Sequence, residues 1–379
     1  MSLTSNPRRR ATLGGVALSV LFGCGGSSSS GAGLAVEPST LPLLAAGQHV
    51  GIAYSTPTPA ARAALDAAFG ECIAAGVSTH ELSFSWAELE SSPGVLDTST
   101  LTRTLVRTQT SGLASYLVIK TIDGSTLSLP ADLVHADDPN ELAAGLTFHH
   151  PAVLARLDAL IDAVAPLLVL SGGFYLSVGD GVDGWLASRP EHLSGFAAFV
   201  TSARARARGH DARLAVGATL RFSSIVLADQ VLSAVRTASD VVAFTYYPLK
   251  PDLAVRSPDV VAADLATMRQ AAQPAPLVLQ AIGYPSGWSG APTNGSSPEL
   301  QRQFVANVFA AIAQDPGIRY VSFRQLADWS RSEVTRLAET HAVTAPGLPE
   351  FLATLGLREH ADGAAKPAYA QFLRGLSGM

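Results

Sequence analysis

Leu277-Val278-Leu279-Gln280-Ala281-Ile282-Gly283-Tyr284-Pro285-Ser286-Gly287 passes from an apolar run into a tight turn that combines an aromatic ring with Gly, Pro and Ser. A short apolar run bounded by turn residues reads as a strand. Its neighbours decide what kind of sheet it belongs to. Upstream, 241–246 reads as a strand and 258–272 as a helix; downstream, Ser297-Pro298-Glu299 offers a cap and a first-turn proline for a helix over 298–314, and 318–323 is strand-like again. Strand and helix alternate on both sides, as they do in βα units.

Carried outward, the alternation covers the whole chain after its first fifty residues. Strands are predicted over 49–54, 77–84, 114–122, 172–178, 213–218, 241–246, 276–282 and 318–323. Helices are predicted over 60–75, 99–110, 151–165, 191–208, 225–237, 258–272 and 298–314, with a last one over 366–376. Eight units of this kind close into a single (β/α)8 TIM barrel, an α/β fold. A doubly wound open sheet is the alternative, but it wants a Gly-rich phosphate turn after the first strand, where Ser55-Thr56-Pro57-Thr58-Pro59 stands. Residues 46–379 form one domain, and the long insertion 124–149 is expected to cover part of the barrel mouth.

Bulk composition fits one large barrel. The 379 residues are 47% hydrophobic and only 15% charged, with a formal net charge of -5, and no basic stripe alternates with aromatics. Nucleic acid is thereby excluded as an expected partner. The N-terminus reads as a targeting segment: Arg8-Arg9-Arg10, a short apolar stretch over 11–22, then Leu21-Phe22-Gly23-Cys24, which resembles the bacterial lipobox. Residues 1–23 are read as a lipoprotein signal peptide, Cys24 as the lipidated residue and 24–45 as a flexible Gly/Ser tether. This predicts an exported protein of the bacterial envelope, periplasmic or on the outer surface, that meets the membrane only through its N-terminal lipid. An ordinary cleaved signal peptide is the alternative, and the export route stays open between the general and twin-arginine systems. Cys72, the other cysteine, is expected to be a buried small hydrophobe.

In a TIM barrel the functional groups follow the strands. The four tryptophans all do so: Trp86 after the second strand, Trp185 after the fourth, Trp288 after the seventh and Trp329 after the eighth. Indole faces stack on the C–H faces of sugar rings, so this placement suggests carbohydrate. Three segments then carry a specific likeness. Ser85-Trp86-Ala87-Glu88-Leu89-Glu90-Ser91-Ser92-Pro93-Gly94, Tyr175-Leu176-Ser177-Val178-Gly179-Asp180-Gly181-Val182-Asp183 and Gln280-Ala281-Ile282-Gly283-Tyr284-Pro285-Ser286 resemble the ends of strands two, four and seven in the TIM-barrel retaining glycoside hydrolases. Phe244-Thr245-Tyr246-Tyr247-Pro248-Leu249 and Val321-Ser322-Phe323-Arg324-Gln325-Leu326-Ala327-Asp328-Trp329-Ser330 resemble strands six and eight.

The resemblance implies an acid/base glutamate at Gly181 and a nucleophilic glutamate at Ala281, and neither side chain is acidic. Retaining hydrolysis needs two carboxyl groups about 5 Å apart. The family's asparagine before the acid/base is Asp180 here, an aromatic position in strand eight is Arg324, and Ala327 stands at a histidine position. The first expectation is therefore a barrel that binds oligo- or polysaccharide without conventional hydrolysis. Trp86, Trp185, Tyr246, Tyr247, Tyr284 and Trp288 would form its sugar platform, with Asp123, Asp180 and Asp328 as polar contacts. The alternatives are an active hydrolase with relocated carboxylates, led by Asp180, and a protein-binding scaffold for polysaccharide processing or export. Asp183 is read as a loop hydrogen-bonding group, and Arg204 to Arg208 as a solvated helix end. His149 and His150 are adjacent, point in different directions and make a poor metal site; no metal or cofactor is expected.

Overall fold

The computed structural model describes residues 47–54, 58–288, 293–340 and 347–379. The signal segment, Cys24, the tether and residues Ser55, Thr56 and Pro57 lie outside the described residues. The wall is built from β1 (His49–Ile52), β2 (Thr79–Ser85), β3 (Ala114–Lys120), β4 (Tyr175–Ser177), β5 in two halves (Ala215–Gly217 and Thr219–Arg221), β6 (Val242–Tyr246), β7 (Leu277–Ile282) and β8 (Ile318–Phe323). Every pairing among them is parallel. The first half of β5 pairs with β4 and the second with β6, so the two ends of the sheet are one strand broken at Ala218. The barrel is nearly closed. At the seam, Thr219 N–H donates to Gly179 O at 3.0 Å and Val182 N–H to Thr219 O at 3.0 Å.

Helices α1 (Arg62–Ala75), α2 (Ser99–Thr110), α3 (Pro151–Leu170), α4 (Leu193–His210), α5 (Asp229–Ala238), α6 (Val261–Ala272), α7 (Pro298–Gln314) and α8 (Pro367–Ser377) surround the wall. Alternate strand residues, such as Leu82, Leu117, Leu176, Val216, Phe244, Leu279 and Val321, join the core shared with the helices. The other set points into the barrel. There Ala114, Tyr116, Val118, Phe174, Tyr175, Val278 and Tyr320 make a second, separate core. Tyr116 and Tyr175 stack at 4.7 Å, and Tyr320 packs against Tyr116 and Phe174. Gly51 makes room for this layer, since a Cβ there would lie 2.8 Å from Tyr320 Oη. The aromatic layer fills the barrel below its C-terminal mouth, the end where this fold carries its functional groups.

Some boundaries depart from the sequence reading. Helix α3 runs to Leu170 instead of ending before Pro166, because buried Leu168 keeps its last turn docked. The stretch read as one helix over 225–237 is two, Ser224–Leu227 and α5, broken at Ala228. The third strand read over 114–122 stops at Lys120, and Ile122–Asp123 pairs antiparallel with Thr126–Leu127. That hairpin opens the 124–149 insertion, which lies on the rim beside β3 and β4. There Asn140 accepts from Leu127 N–H through Oδ1 at 2.9 Å, and its backbone O accepts from Trp185 Nε1 at 3.0 Å.

Candidate functional site

Above the tyrosine layer the inward-facing residues are charged. Register across β1 places Thr79 and Ser322 both opposite Gly51, so Glu81 and Arg324, two residues further along, share a level with only Ala53 between them. Lys120 ends β3 opposite Ser85, and its Nζ stands 3.3 Å from Asp123 Oδ2. Asp180 follows β4 and bridges to Asp123: Asp180 N–H donates to Ile122 O at 2.9 Å, and Gly124 N–H to Asp180 O at 2.8 Å. Tyr247 follows β6, and its ring packs perpendicular to that of Phe351 with 5.3 Å between centroids. Behind it, Val334, Leu348, Phe351, Leu352 and Leu355 form a small apolar cap on that side of the mouth.

Glu81 is the acid that the sequence reading passed over. Its carboxylate makes no hydrogen bond among the described residues, and enclosure by the barrel wall raises it from 4.5 to about 7. Asp180 pushes the same way, while Arg324 and Lys120 oppose. Burial likewise raises Tyr247 to about 12, with Arg324 opposing and Asp180 and Glu81 reinforcing. These groups therefore act on one another as a cluster. A carboxyl that holds its proton near neutrality beside a second carboxylate can donate that proton to a ligand oxygen.

The predicted residues divide sharply. Asp123, Asp180 and Tyr247 meet at the mouth, joined by Arg324, which the sequence offered only as a departure at an aromatic position. Trp86 and Trp185 are fully buried and present no face to a ligand. Trp86 Nε1 donates to Glu90 at 2.7 Å, and Glu90 also accepts from Gly94 N–H at 2.6 Å and from Arg156 Nε at 2.8 Å. The family-like turn after β2 is thus a brace for the loop. Trp185 is wedged beside Phe148 with the Arg189 guanidinium over its ring at 4.7 Å. Tyr246 and Tyr284 point outward into the helical layer, where their hydroxyls donate to Asp264 at 2.9 Å and Arg256 O at 2.8 Å. Trp288 stays partly exposed under Arg331, whose guanidinium lies 4.5 Å from the ring.

Asp328 is also drawn away from the mouth. It is buried against Lys366 Nζ at 2.6 Å and accepts from Gly356 N–H at 2.8 Å. Asp183 holds Arg221 Nε at 2.8 Å and Arg221 N–H at 2.8 Å, tying β4 to β5. Both carboxylates brace the fold. Gly181 sits at φ 59°, a left-handed conformation, and Ala281 is paired with Thr245 just past the register shift that inserts Gln280. Gln280 turns inward, where it accepts from the hydroxyls of Tyr116 and Thr219. His150 caps α3, accepting Ala152 N–H at 3.2 Å, and Arg206 and Arg208 pair with Asp162 and Asp240 on the helix surface. Cys72 is buried, its thiol pushed up to about 12 by that burial. Among the described residues, no group of three or more His, Cys, Asp or Glu is placed to hold a metal ion, and no helix is long and apolar enough to cross a membrane.

The same architecture recurs among solved glycoside hydrolases. A GH5_18 enzyme from Bifidobacterium longum subsp. longum in complex with Manβ1-4GlcNAc superposes with a TM-score of 0.64 at 16% identity, over 87% of this chain and 78% of that one. GH5_18 from Streptomyces cattleya in complex with GlcNAc matches at 0.64 and 16%, over 87% and 80%. An exo-β-1,4-mannosidase from Opitutaceae bacterium strain TAV5 matches at 0.64 and 14%, over 87% and 59%. The fold is that of the glycoside hydrolase barrels. No protein-family model matches the sequence, and no curated protein matches it either.

Proposed function

We propose that this chain binds oligo- or polysaccharide in its barrel mouth and lacks retaining hydrolysis, and that it does so at the bacterial envelope as an exported protein anchored through lipid on Cys24. The observation that carries the reading is the pairing of a glycoside hydrolase barrel with Gly181 and Ala281 at the ends where the resemblance implies the two glutamates. A methyl and a hydrogen can neither protonate a leaving oxygen nor attack an anomeric carbon. The envelope placement rests on the lipobox-like Leu21-Phe22-Gly23-Cys24 and the Gly/Ser tether. Of the aromatic residues first assigned to a sugar platform, Tyr247 and Trp288 are only partly buried and remain its candidates.

The test is a panel of polysaccharides offered to the purified protein, with binding and reducing-end release both followed. Binding without release is the expected result; absence of any glycan affinity would overturn the proposal and favour the protein-binding scaffold. Glu81 beside Asp180 supports a second reading, hydrolysis by relocated acids. In that case reducing ends appear, and both Asp180→Asn and Glu81→Gln abolish their release while the fold survives.

A further inference from the structure

Arg324 acts on Glu81 and Tyr247 through space and closes no contact with either. Lys120, Arg221 and Lys366 each hold a carboxylate, at 3.3, 2.8 and 2.6 Å. The guanidinium of Arg324 makes no ion pair and no hydrogen bond among the described residues, and the side chain is only partly enclosed. The site around it is built. Gly283 opposite lacks a side chain, and a Cβ there would stand 3.0 Å from Leu355, 3.2 Å from the Tyr247 ring and 3.5 Å from Arg324 Cβ. The missing atom lets the arginine stem and the tyrosine ring converge on one wall. Across β1, Ala53 contributes only a methyl between Arg324 and Glu81.

We infer that the ligand is an acidic glycan, and that a uronic acid carboxylate docks on Arg324 between the Tyr247 ring and Glu81. This rests on the carbohydrate-binding reading and names its substrate class. A planar guanidinium presents parallel N–H donors that match the two oxygens of a carboxylate, which a neutral hydroxymethyl group cannot reproduce. Tyr247 supplies an apolar face beside that fork for the sugar ring. Two of the nearby acids do not cancel the site. Asp123 is neutralised by Lys120, and Glu81 keeps a proton near neutrality. A protonated Glu81 can donate to the incoming carboxylate instead of repelling it.

The groups that act on Glu81 come from several walls: Arg324 on β8, Lys120 on β3 and Asp180 after β4. Tyr116, Tyr320 and Tyr247 also sense its charge. An added carboxylate favours the protonated form of Glu81, so binding should take up a proton and tighten as pH falls through about 7.

The experiment is calorimetric titration of the full chain with a galacturonate oligomer, its methyl ester, a neutral glucan of the same length and a sulfated oligosaccharide. The free acid should bind at least about tenfold more tightly than the ester, a difference of ~1.4 kcal/mol. Arg324→Gln should erase that preference, and Arg324→Lys should keep part of it. Proton uptake, read from buffers of different ionisation enthalpy, should vanish in Glu81→Gln. Equal binding of acid and ester by the unmodified protein overturns the inference, and so does a preference that survives Arg324→Gln. A sulfated ligand that outcompetes the uronate overturns the carboxylate assignment. If the neutral glucan binds and the acid gains nothing, this inference falls while the carbohydrate reading stands; if no glycan binds, both fall.

Discussion

Replacing Glu81 by glutamine tests the electrostatics of the mouth without any ligand. In the folded protein the carboxyl holds its proton to about pH 7, whereas an unconstrained glutamate releases it at 4.5. Between those values the folded state binds the extra proton, so stability falls as pH rises from about 4.5 to about 7 and the full loss persists above that. A displacement of this size corresponds to about 3 kcal/mol, and access of water to the mouth reduces the observable to about 1–3 kcal/mol. Glu81→Gln removes the titration. Its stability relative to the parent should therefore be flat below pH 4.5, climb between about 5 and 7, and level off by pH 8. The attraction of Arg324 for the ionised carboxylate opposes the shift and is already contained in the value of about 7, so the slope is the readout. Asp328, whose carboxyl burial also raises, is present in both proteins and cancels in the difference. Urea denaturation at a series of pH values measures the curve. A difference that stays flat from pH 4.5 to 8, or one that falls with pH, would refute the reasoning.

Three other substitutions probe the remaining assignments. Trp185→Ala should cost about 3–5 kcal/mol of stability by emptying the pocket beside Phe148, and glycan affinity of the fraction that remains folded should be unchanged; a selective loss of binding with normal melting would return Trp185 to the site. Lys366→Met should destabilise by about 3–5 kcal/mol at neutral pH because it strands the buried Asp328 carboxylate, and adding Asp328→Asn should recover part of that loss in thermal melts. Gly181→Glu with Ala281→Glu restores two carboxyls, but the left-handed backbone at Gly181 adds a penalty of about 1–2 kcal/mol. The double variant should melt earlier than Ala281→Glu alone, and equal melting temperatures would place no strain at Gly181.

Much of the fold was legible because its signals are local. A run such as 277–282 and a capped helix such as α7 announce themselves within a dozen residues, and their alternation predicts the barrel. The tryptophans misled for a related reason. Following a strand puts a residue on the mouth side, but only packing decides whether its ring faces ligand or, as at Trp86 and Trp185, is sealed under a loop by Glu90, Asn140 and Phe148. Tyr246 shows the same limit at single-residue scale: it and Tyr247 are adjacent in sequence yet face opposite sides of the wall. Glu81 went unread because it stands in mid-strand, in Thr79-His80-Glu81-Leu82, with no turn or motif beside it.

The sequence by itself determined the order of strands and helices, the likeness to glycoside hydrolase barrels and the absence of acids at positions 181 and 281, since each is a property of residues near one another along the chain. Only the tertiary structure decided which charged groups share the mouth. Glu81, Lys120, Asp180 and Arg324 come from four strands spread over more than half of the chain, and barrel closure brings them within reach of one another's charge. The same closure binds Asp183 to Arg221 and Asp328 to Lys366, out of reach of any ligand. A carboxylate's role depends on what neutralises it, and that partner is chosen in space.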